Sequence, residues 1–296
     1  MACTTEEAKN LGLSRCNELP GLMDGMIETN SDFVIPAATL ASGAAAVQAY
    51  LEAALLDPIA DRIFYWPPFK LVEDISVAPV YEDTPLAFID VQKNKYRFRF
   101  SMSENLCLHK AIYTHYRKNG RVFLKDQNGF LLGTLLSNGD FAGLSIQLLN
   151  PEGFKFNDGS VSTKSPVVVA LSQSIELNKN GYMFDASSFI NELESIVDVN
   201  VTVVTITDAG DIDVLVATDC DQTGVTGLVA ADFTYLNASG VAVTITSITA
   251  HASIPGQYKI LQSGDLFVDG TINLKAPDVL SIQSYESLGA ATVNIP

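Results

Sequence analysis

The pattern of apolar and polar positions changes character in the last hundred residues of the chain. Segments rich in Val, Ile and Thr run over 199–207, 211–218, 232–237, 241–250, 257–261, 265–276 and 279–295. Turn formers separate them about every 8 to 12 positions, the spacing of a β-sandwich. Val201 and Val203 stand against Thr202, Val204 and Ile206, so both faces of that segment are partly apolar, as in an inner strand. Residues 199–296 are therefore predicted to form a sandwich. Cys220 is the only cysteine of this region and the chain's one tryptophan, Trp66, lies outside it, so the fold must hold by apolar packing alone.

The pattern before residue 199 is more mixed. Residues 1–36 show little periodicity and several turn formers, among them Pro20-Gly21, Asp24-Gly25 and Asn30-Ser31-Asp32, which predicts an irregular arm. From Leu40 to about Phe64, Ala44-Ala45-Ala46-Val47 followed by Tyr50, Leu51, Ala54 and Leu55 has helical spacing, and Pro58 kinks or ends that helix after Asp57. Phe64-Tyr65-Trp66-Pro67-Pro68-Phe69 then predicts an extended, packed connection, because two prolines forbid a central strand.

Strands are predicted over 71–78, 86–91 and 96–100. In the last of these, Arg97 and Arg99 alternate with Tyr96, Phe98 and Phe100, giving one cationic and one aromatic face. Arginines among aromatics can stack on nucleic-acid bases, but the plainer reading is an aromatic core face. Ser101-Met102-Ser103-Glu104 has capping-box spacing and predicts a helix over 105–117, although Leu106, Leu108, Ile112 and Tyr116 also suit a strand face. Val122-Phe123-Leu124 and Phe130-Leu131-Leu132 flank Asp126-Gln127-Asn128-Gly129, the signature of a hairpin. Further strands are expected over 144–149 and 166–172, either side of the polar loop 157–160. Phe189, Leu193, Ile196 and Val197 share a helical stripe, so 187–198 is predicted as a helical connector. The domain plan is an arm over 1–36, a β-rich assembly domain with one or two helices over 37–186, the connector, and the sandwich. The fold class is mainly β with minor α: a small β-barrel or sandwich-like N-terminal domain plus a C-terminal Ig-like β-sandwich.

Composition narrows the function classes. With 296 residues and 47% hydrophobic content, the chain can bury two cores. No apolar run approaches the eighteen or so residues of a membrane helix, and the start Met1-Ala2-Cys3-Thr4-Thr5-Glu6-Glu7 lacks a basic and an apolar leader region, so a cytosolic origin and no membrane partner are expected. Cys3, Cys16, Cys107 and Cys220 are widely spaced, without a C-x-x-C pair, and are expected to be buried free thiols. The net charge of −16 argues against tight nucleic-acid binding, which needs cations to displace counterions. The deficit is uneven: from Ile196 onward only Lys259 and Lys275 oppose eleven acidic residues, giving −9, and no arginine occurs there.

The candidates for chemistry are few. His109 and His115 are six residues apart, roughly 240° apart on a helix, where they could not share a metal, or on one face of a strand; His251 is remote from both. Asp219, Asp221, Thr223 and Gly224 imitate the first half of a calcium loop, but the twelfth position is Ala230 instead of a bidentate acid; Asp208, Asp211 and Asp213 matter only if the loops converge. Glu73-Asp74 and Glu82-Asp83 are adjacent pairs, which a strand points to opposite faces. Gly129, Gly133, Gly139 and Gly143 lie in hairpin contexts, without a phosphate-loop pattern. No catalytic, cofactor or metal residue is assigned, no cofactor is expected, and no enzymatic activity is predicted.

The stretches 120–134, 143–172 and 256–274, read as a compact β-domain with a long arm and an acidic C-terminal sandwich, resemble the architecture of tailed-bacteriophage virion proteins, above all the major tail tube family. That resemblance implies a structural protein of the virion, assembled in the bacterial host cytoplasm. Its partners would be itself in homohexameric rings stacked into a tube, other virion proteins, and DNA that passes without tight binding. A head decoration or head-to-tail connector protein is the alternative within that class. A carbohydrate- or surface-binding adhesion module is the alternative outside it, weakened by the position of Trp66.

Overall fold

The structure is a computed structural model that describes residues 21–296 apart from 67, 79, 85–86, 93–94, 103–105, 115–118, 158, 160–161, 209–210, 262–267, 281–284 and 296, with the backbone alone described over 80–84 and 87–92 and at 108, 111, 114, 207 and 208. It is mostly β-structure with a few short helices. The chain divides into two compact units, Met1–Glu194 and Ser195–Pro296.

The first unit contains strands β1 (Met23–Thr29), β2 (Val34–Ile35), β3 (Phe64–Tyr65), β4 (Phe69–Asp74), β5 (Val80–Thr84), β6 (Ala87–Gln92), β7 (Arg97–Met102), β8 (Arg121–Asp126), β9 (Phe130–Leu135), β10 (Phe141–Ala142), β11 (Leu144–Pro151), β12 (Ser165–Leu171) and β13 (Gly181–Asp185). Its helices are α1 (Ala37–Ala41), α2 (Ala44–Leu56), α3 (Leu106–Thr114) and α4 (Ser174–Asn178). Eleven of the strands form one sheet in the order β2-β10-β9-β8-β11-β12-β7-β4, with β1 beside β8 and β3, and β13 beside β9; β5 and β6 pair with each other alone.

Both faces of the central strands are buried. Met26, Val122, Leu124 and Leu132 face one core, completed by Phe100, Met102, Val167 and Val169 of β7 and β12. Their chain neighbours Ile27, Phe123 and Leu131 face a second core against Val47, Leu51 and Leu55 of α2. A strand buried on both faces has no reason to alternate, which explains the near-continuous apolar runs of β8 and β9. The β8–β9 hairpin forms as predicted, with Gly129 at φ 86° in its turn and the Asp126 carboxylate accepting from the N–H groups of Asn128 and Phe130.

Three expectations change. Of the arm predicted over 1–36, residues 1–20 lie outside the described residues, but Met23–Thr29 is a buried strand and not irregular, because β8 and β3 satisfy its backbone on either side. The connector predicted as helix over 187–198 is a set of turns over 187–192. Asp185 Oδ1 accepts from Ser187 N and Oγ, and the Phe189 and Ile190 N–H groups both return to Ala186 O, so the chain closes locally while Phe189, Ile190 and Leu193 still reach the core. The helix expected from Leu40 to about Phe64 stops at Leu56, and Pro58 O then accepts from Asp61 and Arg62 N–H in a turn. Helix α3 is present, but Ser101, the proposed cap, lies inside β7 opposite Pro166 and Leu71 with its Oγ making no hydrogen bond among the described residues, because the strand continues to Met102; Ser103 and Glu104 lie outside the described residues.

The second unit is a β-sandwich of strands β14 (Val197–Asp208), β15 (Asp211–Thr218), β16 (Phe233–Asn237), β17 (Ala242–Val243), β18 (Ser247–Ala250), β19 (Gln257–Leu261), β20 (Gly270–Leu274), β21 (Tyr285–Ser287) and β22 (Ala291–Val293). One sheet runs β18-β19-β15-β14-β21 and the other β17-β16-β20-β22. Every pairing is antiparallel except β14 with β21. Val199, Val201, Ile212, Val214, Val216, Tyr258 and Ile260 of the first sheet meet Phe233, Tyr235, Ile272, Leu274 and Val293 of the second. The predicted segments 241–250 and 279–295 each divide into two short strands.

Candidate functional site

The most distinctive polar site grows out of β7. Strand alternation sends Phe98 and Phe100 inward, where Phe100 is fully buried and stacks on Phe69 with centroids 4.4 Å apart. It sends Arg97 and Arg99 to the opposite face of the sheet. Register places Glu73 of β4 opposite Arg99, and Arg99 Nη1 donates to Glu73 Oε2 at 3.0 Å. The same guanidinium donates from Nε and Nη2 to the two oxygens of Glu152 at 3.1 and 3.2 Å, a two-point fork. Lys164 Nζ stands 3.8 Å from the other Glu73 oxygen. The Arg99 hydrogen bond, supported by the nearby lysines, holds the Glu73 carboxyl below its ordinary range; Glu73 and Glu152 in turn raise Arg99.

Arg97 is different. Its backbone pairs with Ala170 of β12, but its exposed guanidinium has no hydrogen-bond or ion-pair partner among the described residues. It lines a furrow of about 720 Å³ whose floor is Ile75, Leu148, Val168 and Ala170 and whose rim carries the side-chain amides of Asn119, Gln147 and Asn150. None of these three amides has a side-chain partner among the described residues. Asn119, at φ 59°, also borders a second furrow of about 510 Å³ that includes Asp32, Tyr50 and Asp61. A forked cation beside neutral amides over an apolar floor suits a carboxylate on a partly apolar carrier. Among the described residues the 720 Å³ furrow is lined by no histidine or cysteine.

The residues singled out in the sequence do not converge on one place. His109 is buried on α3 with its ring against Tyr113 and Phe154, centroids 5.6 and 5.0 Å away, and its Nδ1 makes no hydrogen bond among the described residues. His115 lies outside the described residues. His251 is exposed, and its Nδ1 accepts from Ser253 N and Ile254 N at 3.2 and 3.1 Å, so it organises a turn.

Asp219 accepts from the Asn200 amide, and Asp221 accepts from the Thr218 hydroxyl and Thr223 N, interactions that hold the Asp221 carboxyl below its ordinary range. Asp211, paired with Lys259, starts the eight-residue strand that Asp219 follows. The two acidic groups are thus about 25 Å apart at opposite ends of β15. Asp74 caps Ser76 N while Glu73 holds Arg99, so that pair is split; Glu82 and Asp83 are described by their backbone alone. Trp66 is buried and donates from Nε1 to Glu28 Oε2 at 3.0 Å, a core role that leaves no exposed ring for sugar stacking.

The cysteine expectation is corrected. Cys107 and Cys220 each take part in a disulfide, and no free cysteine occurs among the described residues; Cys3 and Cys16 lie outside them. Cys220 is also exposed and not buried. No helix among the described residues is long and apolar enough to cross a membrane.

The alternation Arg97-Phe98-Arg99 was visible in the sequence as a two-faced strand. The furrow was not, because its floor and rim come from β7, β11, β12 and the turn at Asn119. Comparison with known proteins returns no matching family model and no matching curated relative.

Proposed function

We infer that the chain is a structural, self-assembling subunit of the phage tail-tube type, working through contacts with copies of itself and not through turnover of a substrate. The observation that carries this reading is the first unit's open sheet. The order ends on β4, which pairs only with β7 among the described strands and leaves Leu71 exposed, and is followed by the self-paired hairpin β5–β6. An open strand end bearing an apolar side chain is a template for another chain. A homomeric ring closes such edges by symmetry.

The second unit supports the reading. Labelled in chain order, its sheets carry the D-E-B-A and C′-C-F-G orders of an immunoglobulin-like sandwich, with β21 added beside β14. Such a sandwich suits an appended outer domain. The net charge of −16 suits a lumen along which a polyanion slides without sticking.

Mass photometry and negative-stain microscopy of the purified chain test this. Rings or short tubes are expected; a persistently monomeric species at high concentration overturns the reading. A glycan array separates it from the adhesion alternative, for which selective sugar binding would speak.

A further inference from the structure

We propose that the arginine furrow of the first unit is the docking site for the acidic sandwich of a second copy of this chain. The proposal rests on the self-assembly reading above, and names the surfaces that meet.

The furrow carries positive charge and hydrogen-bond donors left without partners among the described residues. Arg99 is fully engaged by Glu73 and Glu152, so it shapes the furrow wall and is not free to bind. Arg97, two residues earlier on the same face, has its guanidinium exposed and without a partner among the described residues, beside the likewise unpartnered amides of the exposed Asn119 and Gln147 and the half-buried Asn150. An arginine with an apolar floor at its base is placed to take a carboxylate in two-point geometry. Lys155 and Lys164 pair backbones in the loop between β11 and β12, and Lys164 reaches Glu73, so further positive charge stands at this edge.

The complementary surface is the second unit of another copy. It has no arginine, its lysines are Lys259 and Lys275, and Lys259 is already committed to Asp211. Its net charge of −9 is the largest local deficit in the chain, and its Asp219–Asp221 turn is exposed. A contact between the first unit of one copy and the second unit of the next is head-to-tail. Contacts of that kind propagate, closing into rings where the rotation permits. Small ligands that carry a carboxylate share the chemistry, but the chain itself supplies the more abundant carboxylates at the concentration of assembly.

The test uses the full chain, half of it labelled with ¹⁵N, assembled at low salt and treated with a carbodiimide that joins lysine amines directly to carboxylates. Cross-links of mixed isotope composition are expected between Lys155 or Lys164 and carboxylates of residues 195–296. Arg97→Glu is expected to cut the assembled fraction by about tenfold and Arg97→Lys to recover most of it, with melting temperatures unchanged because this side chain holds nothing in the fold. Arg97→Gln, with an intermediate loss, guards against a misfolded charge reversal.

If the parent assembles but its intermolecular cross-links stay within residues 21–194, or Arg97→Glu assembles like the parent, the docking proposal falls and the self-assembly reading stands. If the parent remains monomeric at every concentration, both fall.

Discussion

The two units solve the burial problem in opposite ways. In the sandwich each sheet hides one face, and the charged or amide side chains within its buried set are Asp232 and Gln257. Asp232 serves a local turn, accepting from Val229 N at 2.7 Å. In the first unit the strands β1, β8 and β9 hide both faces, and polar groups are carried inside with them: Glu28 with Trp66, Lys125 with Asp24, and Asp126 with three backbone N–H groups. A core of the second kind depends on specific partners, since a buried polar group that loses its partner costs more than the bond itself returned. The sandwich is held mainly by apolar packing, with the Tyr258 hydroxyl and the Cys220 disulfide beside it, and the first unit by packing and matched pairs of charged and polar side chains together.

Phe141→Ala is expected to be the most damaging of these substitutions. This ring is fully buried, 4.9 Å from Phe123 and 5.1 Å from Tyr182, and its loss is expected to cost about 3–5 kcal/mol in the first unit. Calorimetry should show the sandwich transition unmoved; a fragment of residues 195–296 melting cooperatively on its own is the companion result.

Gly256→Ala strikes the sandwich instead. At φ 78°, an added Cβ would lie 2.4 Å from Val216 O and 2.6 Å from Gly224 Cα, both backbone, so a loss of about 2–4 kcal/mol is expected by urea unfolding. Tyr258→Phe sharpens the polar side of the same unit. Its buried hydroxyl donates to Val225 O and accepts from Leu228 N, and leaving both groups unmatched is expected to cost about 1–3 kcal/mol.

The smallest effect concerns the Arg99 cluster, which is partly exposed and screened. Arg99→Met is expected to cost about 1 kcal/mol at neutral pH. The folded-state Glu73 carboxyl is held below its unfolded range, so its contribution is complete above that range and fades as pH falls through the lowered folded value. Parent and variant melting temperatures should therefore converge in acid, and a gap that stays constant from neutral pH into acid would contradict this account.

Strands such as Asp211–Thr218 and Gln257–Leu261 appeared at the predicted residues, because a one-sided strand writes its burial into alternation. Met23–Thr29 was missed, because a strand buried on both faces carries no alternation and its glycine and acids imitate a turn. The stripe Phe189–Leu193 was legible as buried but not as turns, since a few apolar residues suit several backbones that reach the same core. The furrow had one visible ingredient, the Arg97-Phe98-Arg99 alternation; its floor required β12 to fall beside β7 and β11 beside β12.

The one-sided strands, mean charge and the split between an arginine-bearing first part and an arginine-free acidic last third are local properties, carried by neighbouring residues. Which strands lie side by side, and that Arg99 is spent on Glu73 and Glu152 while Arg97 is left over, are decided by contacts between residues far apart in the chain. Pairing energies of that kind depend on register and distance in space, which no window of sequence contains.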